Sequence, residues 1–421
     1  MTRVLFAWEL GDNLGHLTRD LPLMRACLRA GHEVWVAACN LRTASLLLPL
    51  EGVRAVQAPQ LRPARRKRMP PLNYADMLLG MGFDDAHALD GALRAWIGLF
   101  ELIRPAVMVY NHSPTALLAA RVVGLPILLV ANGFEVPPQG NPLPSFRPWV
   151  PIEAQTLEAI EQALMGSVNP YLRCTGQRQL ESTVDLFRGL TAHLTTFPEL
   201  DPFGPRDDAI YLGLVYAVDS VPKIGWERGS AKRIFAYLRP TIAGVEFVLD
   251  ALNRLSDAEV ICVMPDMPPE WQTAFRRIRF RTGAVDAAAL LASADLAVTY
   301  GTGTITTAVA AGVPVLVVPQ VIEQYLTGLA LARSGAGRML DTDRSVQRCM
   351  ALLVELLDGA AYRSAATQLA VRHASLDTAR ASERLFRSLS ALARPQGASA
   401  PAQSRVADPA FNSLCETGAR A

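Results

Sequence analysis

The sequence lacks the features of disulfide-stabilised, membrane-spanning and polyanion-binding proteins. Its six cysteines among 421 residues are dispersed without C-x-x-C spacing, which indicates reduced side chains and no zinc site. With 41 Lys+Arg against 39 Asp+Glu, the net charge of +2 argues against nucleic-acid binding. The first apolar run, Val4–Trp8, is too short for a signal peptide, and no run is long enough to cross a membrane. We therefore expect a cytoplasmic protein without a bound metal.

The length predicts two domains, because a chain of 421 residues exceeds the range over which one hydrophobic core grows. Alternating strand and helix patterns in both halves favour the α/β class. Prolines and a glycine in 197–205 predict a boundary, with a first domain over 1–205 and a second over 206–375. A helix follows over 376–392, and the polar tail 393–421 is predicted to be disordered. Within the first domain we expect helices over Glu153–Leu164 and Leu172–Leu190.

A glycine-bearing turn in the second half has the features of an anion site. The short strand Leu296–Thr299 leads into Tyr300–Thr304, where Gly301 and Gly303 let the backbone turn tightly and approach a ligand. Thr302 and Thr304 offer hydroxyls, and a helix that begins near Thr304 directs unpaired N–H groups outward. The turn is therefore predicted to bind a phosphate.

A second polar segment follows the next buried strand, Val315–Val318. Gln320, Glu323 and Gln324 come directly after this strand, so the two polar segments flank one βαβ unit. The carboxyl ends of parallel strands lie at one edge of a sheet, where open α/β sheets bind their ligands.

These two segments together resemble the donor site of nucleotide-sugar-dependent glycosyltransferases of the GT-B fold. The resemblance is chiefly to the UDP-glycosyltransferase superfamily and its peptidoglycan N-acetylglucosaminyl transferase relatives. The family pattern is His-x-Gly-x-Gly-Thr-x-x-Glu-Ala-x-x-x-Gly-Val-Pro, followed by Pro-x-x-x-Asp/Glu-Gln. The residues that fall on it are Gly301, Gly303, Thr304, Ala308, Gly312, Val313, Pro314, Pro319, Glu323 and Gln324.

The resemblance implies two Rossmann-like α/β domains that face each other across a cleft, with the helix over 376–392 crossing back to the first domain. It implies a nucleoside-diphosphate sugar, UDP or dTDP, as co-substrate and no separate cofactor. Gly303 and Thr304 would hold the diphosphate, while Glu323 and Gln324 would bind hydroxyls of the donor sugar, with Gln320 in the same segment.

Two positions depart from the family pattern. The phosphate-binding histidine of the family falls on Thr299, and its ribose-binding glutamate falls on Thr307. A hydroxyl carries no charge and cannot accept from both ribose hydroxyls as a carboxylate does. Arg239 follows the first strand of the second domain and is predicted to supply the charge that Thr299 lacks.

His16 is the predicted general base. It lies between the first strand and a helix, and Gly15-His16 resembles the Gly-His of UDP-glycosyltransferases, whose histidine deprotonates the acceptor hydroxyl. Such a base is commonly oriented by a carboxylate, but Asn111 stands at the end of the strand where one is expected. Either Asn111 orients the imidazole, or Glu9 or Asp12 does so from the loop before His16, or all three are ordinary polar loop residues.

Together these features predict an inverting glycosyltransferase whose acceptor is a small molecule, lipid or glycan. One alternative is a nucleotide-sugar hydrolase or epimerase, because hydrolases of this fold share the Gly-His-x-x-Arg element found at 15–19. Another is a non-catalytic binding protein, favoured by Thr299, Thr307 and Asn111.

A basic cluster in the first domain is either a solvated loop or a contact for an anionic acceptor or membrane. Its residues are Arg62, Arg65, Arg66, Lys67 and Arg68. The membrane contact would place the protein at the inner face of the membrane.

Overall fold

A computed structural model describes residues 2–11, 14–45, 47–48, 52–61, 70–215, 222, 224–227, 229, 232–340 and 342–394. Three predictions lie outside the described residues: those on Asp12, on the basic cluster and on the tail from residue 395.

The first domain is built on a parallel sheet of buried, mainly apolar strands. Its strands, in chain order, are β1 (Arg3–Trp8), β2 (Glu33–Ala38), β3 (Arg54–Gln57), β4 (Val107–Asn111), β5 (Ile127–Ala131), β6 (Ala192–Leu194) and β7 (Ala209–Tyr211). Their spatial order is β3-β2-β1-β4-β5-β6-β7. Helices cover both faces, which is why β4 and β5 are buried at every position.

The helices of this domain are α1 (Leu14–Arg29), α2 (Leu41–Ser45), α3 (Tyr74–Leu78), α4 (Ala86–Ile103), α5 (Pro114–Val123) and α6 (Ala154–Cys174). The predicted helix over Glu153–Leu164 forms as the first part of α6. The prediction of a second helix over Leu172–Leu190 was wrong, because α6 continues without a break to Cys174 and ends before Gly176, which adopts a left-handed backbone with φ of 68°. Over the rest of the second predicted segment the chain forms a 3₁₀ turn, Thr183–Phe187.

The second domain repeats this architecture. Its strands are β8 (Lys232–Tyr237), β9 (Ala258–Val263), β10 (Ile278–Arg281), β11 (Leu296–Thr299), β12 (Val315–Val317) and β13 (Gly337–Met339), in the spatial order β10-β9-β8-β11-β12-β13. Its helices are α7 (Val245–Arg254), α8 (Trp271–Ala274), α9 (Ala287–Leu291), α10 (Thr302–Ala310), α11 (Ile322–Ser334), α12 (Val346–Asp358) and α13 (Ala360–Arg372). All strand pairs are parallel, so the predicted pair of α/β domains is confirmed.

The first sheet extends past the predicted boundary at residue 205. Strand β7 begins at Ala209 and pairs with β6, so the prolines and glycine of 197–205 connect two strands of one sheet rather than two domains. The last helix, α14 (Thr378–Leu392), packs on the first domain, where Leu385 and Leu389 are buried in the same core as Leu17.

The predicted ligand sites lie where the strand order of each sheet reverses. In the first sheet the reversal separates β1 from β4, and in the second it separates β8 from β11. Loops leave such a point in opposite directions, which opens a crevice at the carboxyl ends of the strands. The two crevices approach each other, because Asn132 after β5 contacts Glu323 after β12. Among the described residues, no helix combines the length and apolar character needed to cross a membrane.

Candidate functional site

His16 lies at the start of α1, against the carboxyl ends of β1 and β4. Its ring stacks on Trp8 with 5.5 Å between ring centroids, and 16% of its side chain is exposed. Trp8 and Asn111 are paired in register on the two strands, and Asn111 reaches the imidazole, with 2.7 Å between Nδ1 and Oδ1. The structure thus brings together the two predicted residues His16 and Asn111.

The amide of Asn111 is hydrogen-bonded on all sides. Its Oδ1 accepts from His16 Nδ1 and also from the guanidinium of Arg19. Its Nδ2 donates to the carboxylate of Asp20 over 2.6 Å and to the backbone oxygen of His16 over 3.1 Å. If the oxygen and nitrogen of the amide were exchanged, the donor Nδ2 would face the donor Arg19, and the acceptor Oδ1 would face the accepting carboxylate of Asp20. The network therefore fixes the amide orientation.

Glu135, in the loop after β5, completes the cluster. Arg19 Nη1 donates to both of its carboxylate oxygens, over 2.9 and 2.8 Å. His16 Nδ1 is 3.8 Å from Glu135 Oε1, beyond hydrogen-bonding distance. No role for Arg19, Asp20 or Glu135 was predicted from the sequence. The i, i+4 spacing of His16 and Asp20 on one helix could have indicated Asp20, whereas no sequence signal points to Glu135.

Burial shifts the protonation of this cluster. It lowers the pKa of His16, although the nearby Glu135 carboxylate opposes this shift. Burial would raise the pKa of Glu135, but the Arg19 guanidinium and the neighbouring imidazoles together bring that pKa below its ordinary value. Burial raises the pKa of Asp20 to about 7. The lowered pKa of His16 favours the neutral imidazole, which is the form that can accept a proton.

Glu9, the alternative orienting residue, faces elsewhere. Its Oε2 accepts from the backbone N–H of Thr115 over 3.0 Å, at the start of α5. Burial raises the pKa of Glu9 to about 7. Of the alternatives among the described residues, Asn111 is the one bonded to His16.

An open cavity of about 700 Å³ lies at the carboxyl ends of β1, β2 and β3. Gly11 lines this cavity, and a Cβ on Gly11 would lie 2.3 Å from His16 Nε2. The remaining lining residues are Glu9, Leu10, Cys39, Asn40, Leu41, Arg42, Gln57 and Gln60. The Nε2 side of the imidazole thus lies against Gly11, one of the residues that line a largely polar cavity.

The glycine turn of the second domain forms as predicted, with its helix starting two residues earlier. Helix α10 begins at Thr302, follows Gly301 and has no side-chain cap, which leaves its first N–H groups available to an anion. Thr304 lies in its first turn. Thr299, however, is fully buried, and its Oγ1 accepts from Gly301 N over 3.3 Å. Thr299 therefore supports the turn, and a ligand could not reach its hydroxyl without a local movement.

Thr307 uses its hydroxyl within α10. Its Oγ1 donates to the backbone oxygen of Gly303 over 2.8 Å, and the side chain is partly exposed on the same helix as the turn. This position is compatible with a neighbouring ligand, although the hydroxyl itself is already bonded.

The second polar segment lies at the domain interface. Glu323 Oε1 accepts from Asn132 Nδ2 over 2.6 Å and from Thr302 Oγ1 over 3.3 Å. Burial, and then the nearby Glu135 carboxylate, raise the pKa of Glu323 to about 7. Gln324 Oε1 accepts from the backbone N–H of the exposed Gln320 over 2.9 Å. Sequence reasoning missed Asn132, whose contact depends on how the two domains meet.

Arg239 lies beside the glycine turn, as predicted. Thr299 and Tyr237 are paired in register at the ends of β11 and β8. Gly301 lies two residues after Thr299 and Arg239 two residues after Tyr237, so both come at the same level beyond the sheet. Arg239 interacts with Tyr300, whose ring stacks on Tyr237 with 5.7 Å between centroids. Its Nε is buried and has no hydrogen-bond partner among the described residues.

Known proteins resemble this chain in sequence and structure. Residues 246–381 match the family described as Erythromycin biosynthesis protein CIII-like, C-terminal domain. A PGL/p-HBAD biosynthesis glycosyltransferase of Mycobacterium tuberculosis is 27% identical over 393 residues, covering 87% of this chain and 88% of the relative. A PGL/p-HBAD biosynthesis rhamnosyltransferase of Mycobacterium bovis is 24% identical and covers 87% and 83%.

Among solved structures, the spinosyn rhamnosyltransferase SpnG complexed with thymidine diphosphate has a TM-score of 0.65 at 18% identity, covering 93% of this chain and 100% of the other. The same enzyme complexed with spinosyn aglycone has a TM-score of 0.64 at 19% identity, covering 92% and 99%. These matches confirm the predicted GT-B fold.

Proposed function

Because this chain is a glycosyltransferase of the GT-B fold, related to the UDP-glycosyltransferase superfamily, we propose that it transfers a sugar from a nucleoside diphosphate to a hydroxyl acceptor with inversion at the anomeric carbon. His16 is the general base of this reaction.

The observation that carries the proposal is the orientation of the Asn111 amide. With Oδ1 directed at His16, the hydrogen bond of 2.7 Å requires a proton on Nδ1. A neutral imidazole protonated on Nδ1 has its lone pair on Nε2. That atom faces Gly11, which lines the polar cavity. Asn111 thus performs the tautomer-fixing part of a carboxylate's role without its charge.

The reaction follows from these positions. His16 Nε2 accepts the proton of the acceptor hydroxyl, and the oxygen forms a bond to the anomeric carbon of the donor. The bond from that carbon to the leaving phosphate oxygen breaks, and its electron pair leaves with the nucleoside diphosphate. Attack opposite the leaving group inverts the anomeric carbon. The imidazolium that forms is stabilised by Glu135, 3.8 Å from Nδ1.

The donor binds the second domain. The uncapped start of α10 and the side chain of Arg239 stabilise the diphosphate as negative charge develops on it. Glu323 and Gln324 bind hydroxyls of the sugar, since Glu323 lies at the interface with the domain that carries His16. The nucleotide is UDP or dTDP, and the thymidine diphosphate complex of the spinosyn enzyme supports the second.

The acceptor binds in the cavity of about 700 Å³ that is lined by Gly11, the residue against which His16 Nε2 lies. A small molecule with a free hydroxyl fits this position, and the curated relatives, named for PGL/p-HBAD biosynthesis, and the spinosyn aglycone complex support that class. Contact between the basic cluster of residues 62–68 and an anionic acceptor or membrane stays a prediction.

The test is His16→Ala with UDP- and dTDP-sugars and a panel of hydroxyl acceptors. We expect kcat to fall by roughly 100-fold or more, while calorimetry gives an unchanged Kd for the nucleoside diphosphate. NMR of the product should show the anomeric configuration opposite to that of the donor. Retained configuration, or an equal loss of nucleotide affinity, would contradict the proposal.

A further inference from the structure

Asp20 is a buried carboxylate to which the transfer reaction assigns no role. It lies one helical turn after His16 on α1 and is 3% exposed. Burial of a carboxylate is unfavourable unless it is hydrogen-bonded. Asp20 meets this requirement by accepting from Asn111 Nδ2 over 2.6 Å. The question is whether this bond does more than tie α1 to β4.

The bond determines which atom Asn111 presents to His16. Asp20 and Arg19 bind opposite ends of the same amide, Asp20 at Nδ2 and Arg19 at Oδ1. Rotation of the amide by half a turn would bring Nδ2 to the imidazole. His16 Nδ1 would then have to accept, and its proton would move to Nε2, the atom needed as base. An asparagine amide can present either its accepting oxygen or its donating nitrogen, whereas an ionised carboxylate presents an acceptor in both orientations.

We propose that Asp20 is a positioning residue for His16, because it anchors the Asn111 amide in the orientation that keeps the imidazole proton on Nδ1 and the lone pair on Nε2. The proposal rests on the role of His16 as base. Asp20 does not touch the substrates, and it acts only through Asn111.

Glu135 is the other carboxylate near His16, and its geometry differs. Both of its oxygens accept from Arg19 Nη1, and its nearest approach to His16 Nδ1 is 3.8 Å. At that distance it contributes charge but no hydrogen bond that would select a tautomer. Asp20, together with Arg19, therefore acts on the tautomer through the Asn111 amide, and Glu135 affects mainly the pKa of His16.

The first experiment is Asp20→Leu, which removes the acceptor and keeps a side chain of similar length. With histidine labelled by ¹⁵N, NMR shifts report which ring nitrogen carries the proton. The native protein should show His16 protonated on Nδ1, and Asp20→Leu should show both tautomers. We expect kcat to fall roughly 10- to 100-fold with KM for the nucleotide sugar unchanged.

A reciprocal exchange keeps the test valid if Asp20→Leu does not fold. Asn111→Asp alone sets two carboxylates at hydrogen-bonding distance and should lower kcat. Asp20→Asn combined with Asn111→Asp restores one donor and one acceptor at this contact, and kcat should return to within about threefold of the native value, since an accepting oxygen of residue 111 again faces Nδ1. Failure of the double variant to recover, in a protein that melts normally, would overturn the proposal.

The matched control is Glu161→Gln. Glu161 is a carboxylate of the same domain with 2% exposure, and it accepts from Thr183 Oγ1 over 2.6 Å. Its loss should lower the melting temperature without altering the His16 tautomer. A native tautomer and native kcat in folded Asp20→Leu would make Asp20 purely structural. The NMR measurement of the His16 tautomer does not depend on turnover, so it tests the role of Asp20 separately from the role of His16 as base. The role of His16 as base would instead be refuted if His16→Ala did not reduce kcat.

Discussion

The amide of Asn132 in the first domain donates to the carboxylate of Glu323 in the second, over 2.6 Å between Nδ2 and Oε1. The same carboxylate oxygen accepts from Thr302, the first residue of α10. A residue assigned to the donor sugar therefore also joins the two domains. Sugar hydroxyls that bind Glu323 must either replace Asn132 or share the carboxylate with it.

Replacing Glu323 by Ala should weaken the nucleotide sugar but not the free nucleotide. A hydrogen bond to a charged group contributes about 1.5–3 kcal/mol, so the Kd of a dTDP- or UDP-sugar should rise roughly tenfold or more. Calorimetry with each nucleotide and its sugar measures the difference. Asn132→Ala is the comparison, because it breaks the domain contact and keeps the carboxylate. Equal weakening of sugar-bearing and free nucleotide would show that Glu323 does not bind the sugar.

Glu323→Gln should change how stability depends on pH. The pKa of Glu323 is about 7 in the folded protein against an ordinary 4.5, so the folded state holds a proton that the unfolded state releases between these values. The free energy of unfolding of the native protein therefore falls as pH rises through that window. Glutamine does not titrate.

The difference in free energy of unfolding between the variant and the native protein should consequently shift in favour of the variant from pH 5 to pH 8, by up to roughly 3 kcal/mol. Thermal unfolding at both pH values measures it. Gln324→Ala, on the same helical turn, is the non-titrating control, and its difference from the native protein should not vary with pH. If the difference in free energy of unfolding between Glu323→Gln and the native protein were also the same at both pH values, Glu323 would ionise normally.

Gly11→Ala should disable the base without affecting the donor. A Cβ at residue 11 would lie 2.3 Å from His16 Nε2, and the backbone there has φ of 87°, which side chains disfavour. The imidazole would have to move off Asn111. We expect kcat to fall roughly tenfold or more with an unchanged Kd for nucleoside diphosphate. Gly15→Ala is the control, because its Cβ would have no heavy atom within 4 Å. Equal losses in both variants would point to a general effect on the loop.

The sequence predicted what depends on strand ends and local turn chemistry. His16 follows β1 and Asn111 ends β4, and these two strands pair in the sheet, so their meeting is a consequence of parallel topology. The turn at Gly301 was recognisable because two glycines stand between a strand and a helix, where the backbone must turn tightly. Thr299 falls on the phosphate-binding histidine of the family pattern, but its shorter side chain is buried beneath the turn, where a ligand does not reach it without a local movement.

Other features depend on long-range packing that one sequence does not encode in a readable pattern. Glu135 and Asn132 lie in an irregular loop after β5, and their partners, Arg19 and Glu323, are far away along the chain. The prolines of 197–205 indicated a linker, but whether a linker joins domains or strands depends on what pairs beyond it. Here β7 pairs with β6, and the first sheet continues.

The last prediction concerns the nucleotide. Thr307 stands where the family has a ribose-binding glutamate, and its hydroxyl is bonded to Gly303 O over 2.8 Å. A carboxylate at 307 could accept from both hydroxyls of a ribose but from only one of a 2′-deoxyribose. Thr307→Glu should therefore strengthen UDP binding more than dTDP binding, by roughly tenfold in the ratio of their Kd values. Titration calorimetry with the two nucleotides measures this ratio.

Arg239→Ala is the matched control for Thr307→Glu. Arg239 lies beside the turn at Tyr300 and would contact the diphosphate, which UDP and dTDP share. Its loss should weaken both nucleotides alike, by roughly tenfold. Equal gains for UDP and dTDP on Thr307→Glu, or no gain for either, would mean that residue 307 does not face the ribose. An unchanged affinity in Arg239→Ala would remove Arg239 from the phosphate site and leave the start of α10 as the source of the diphosphate affinity.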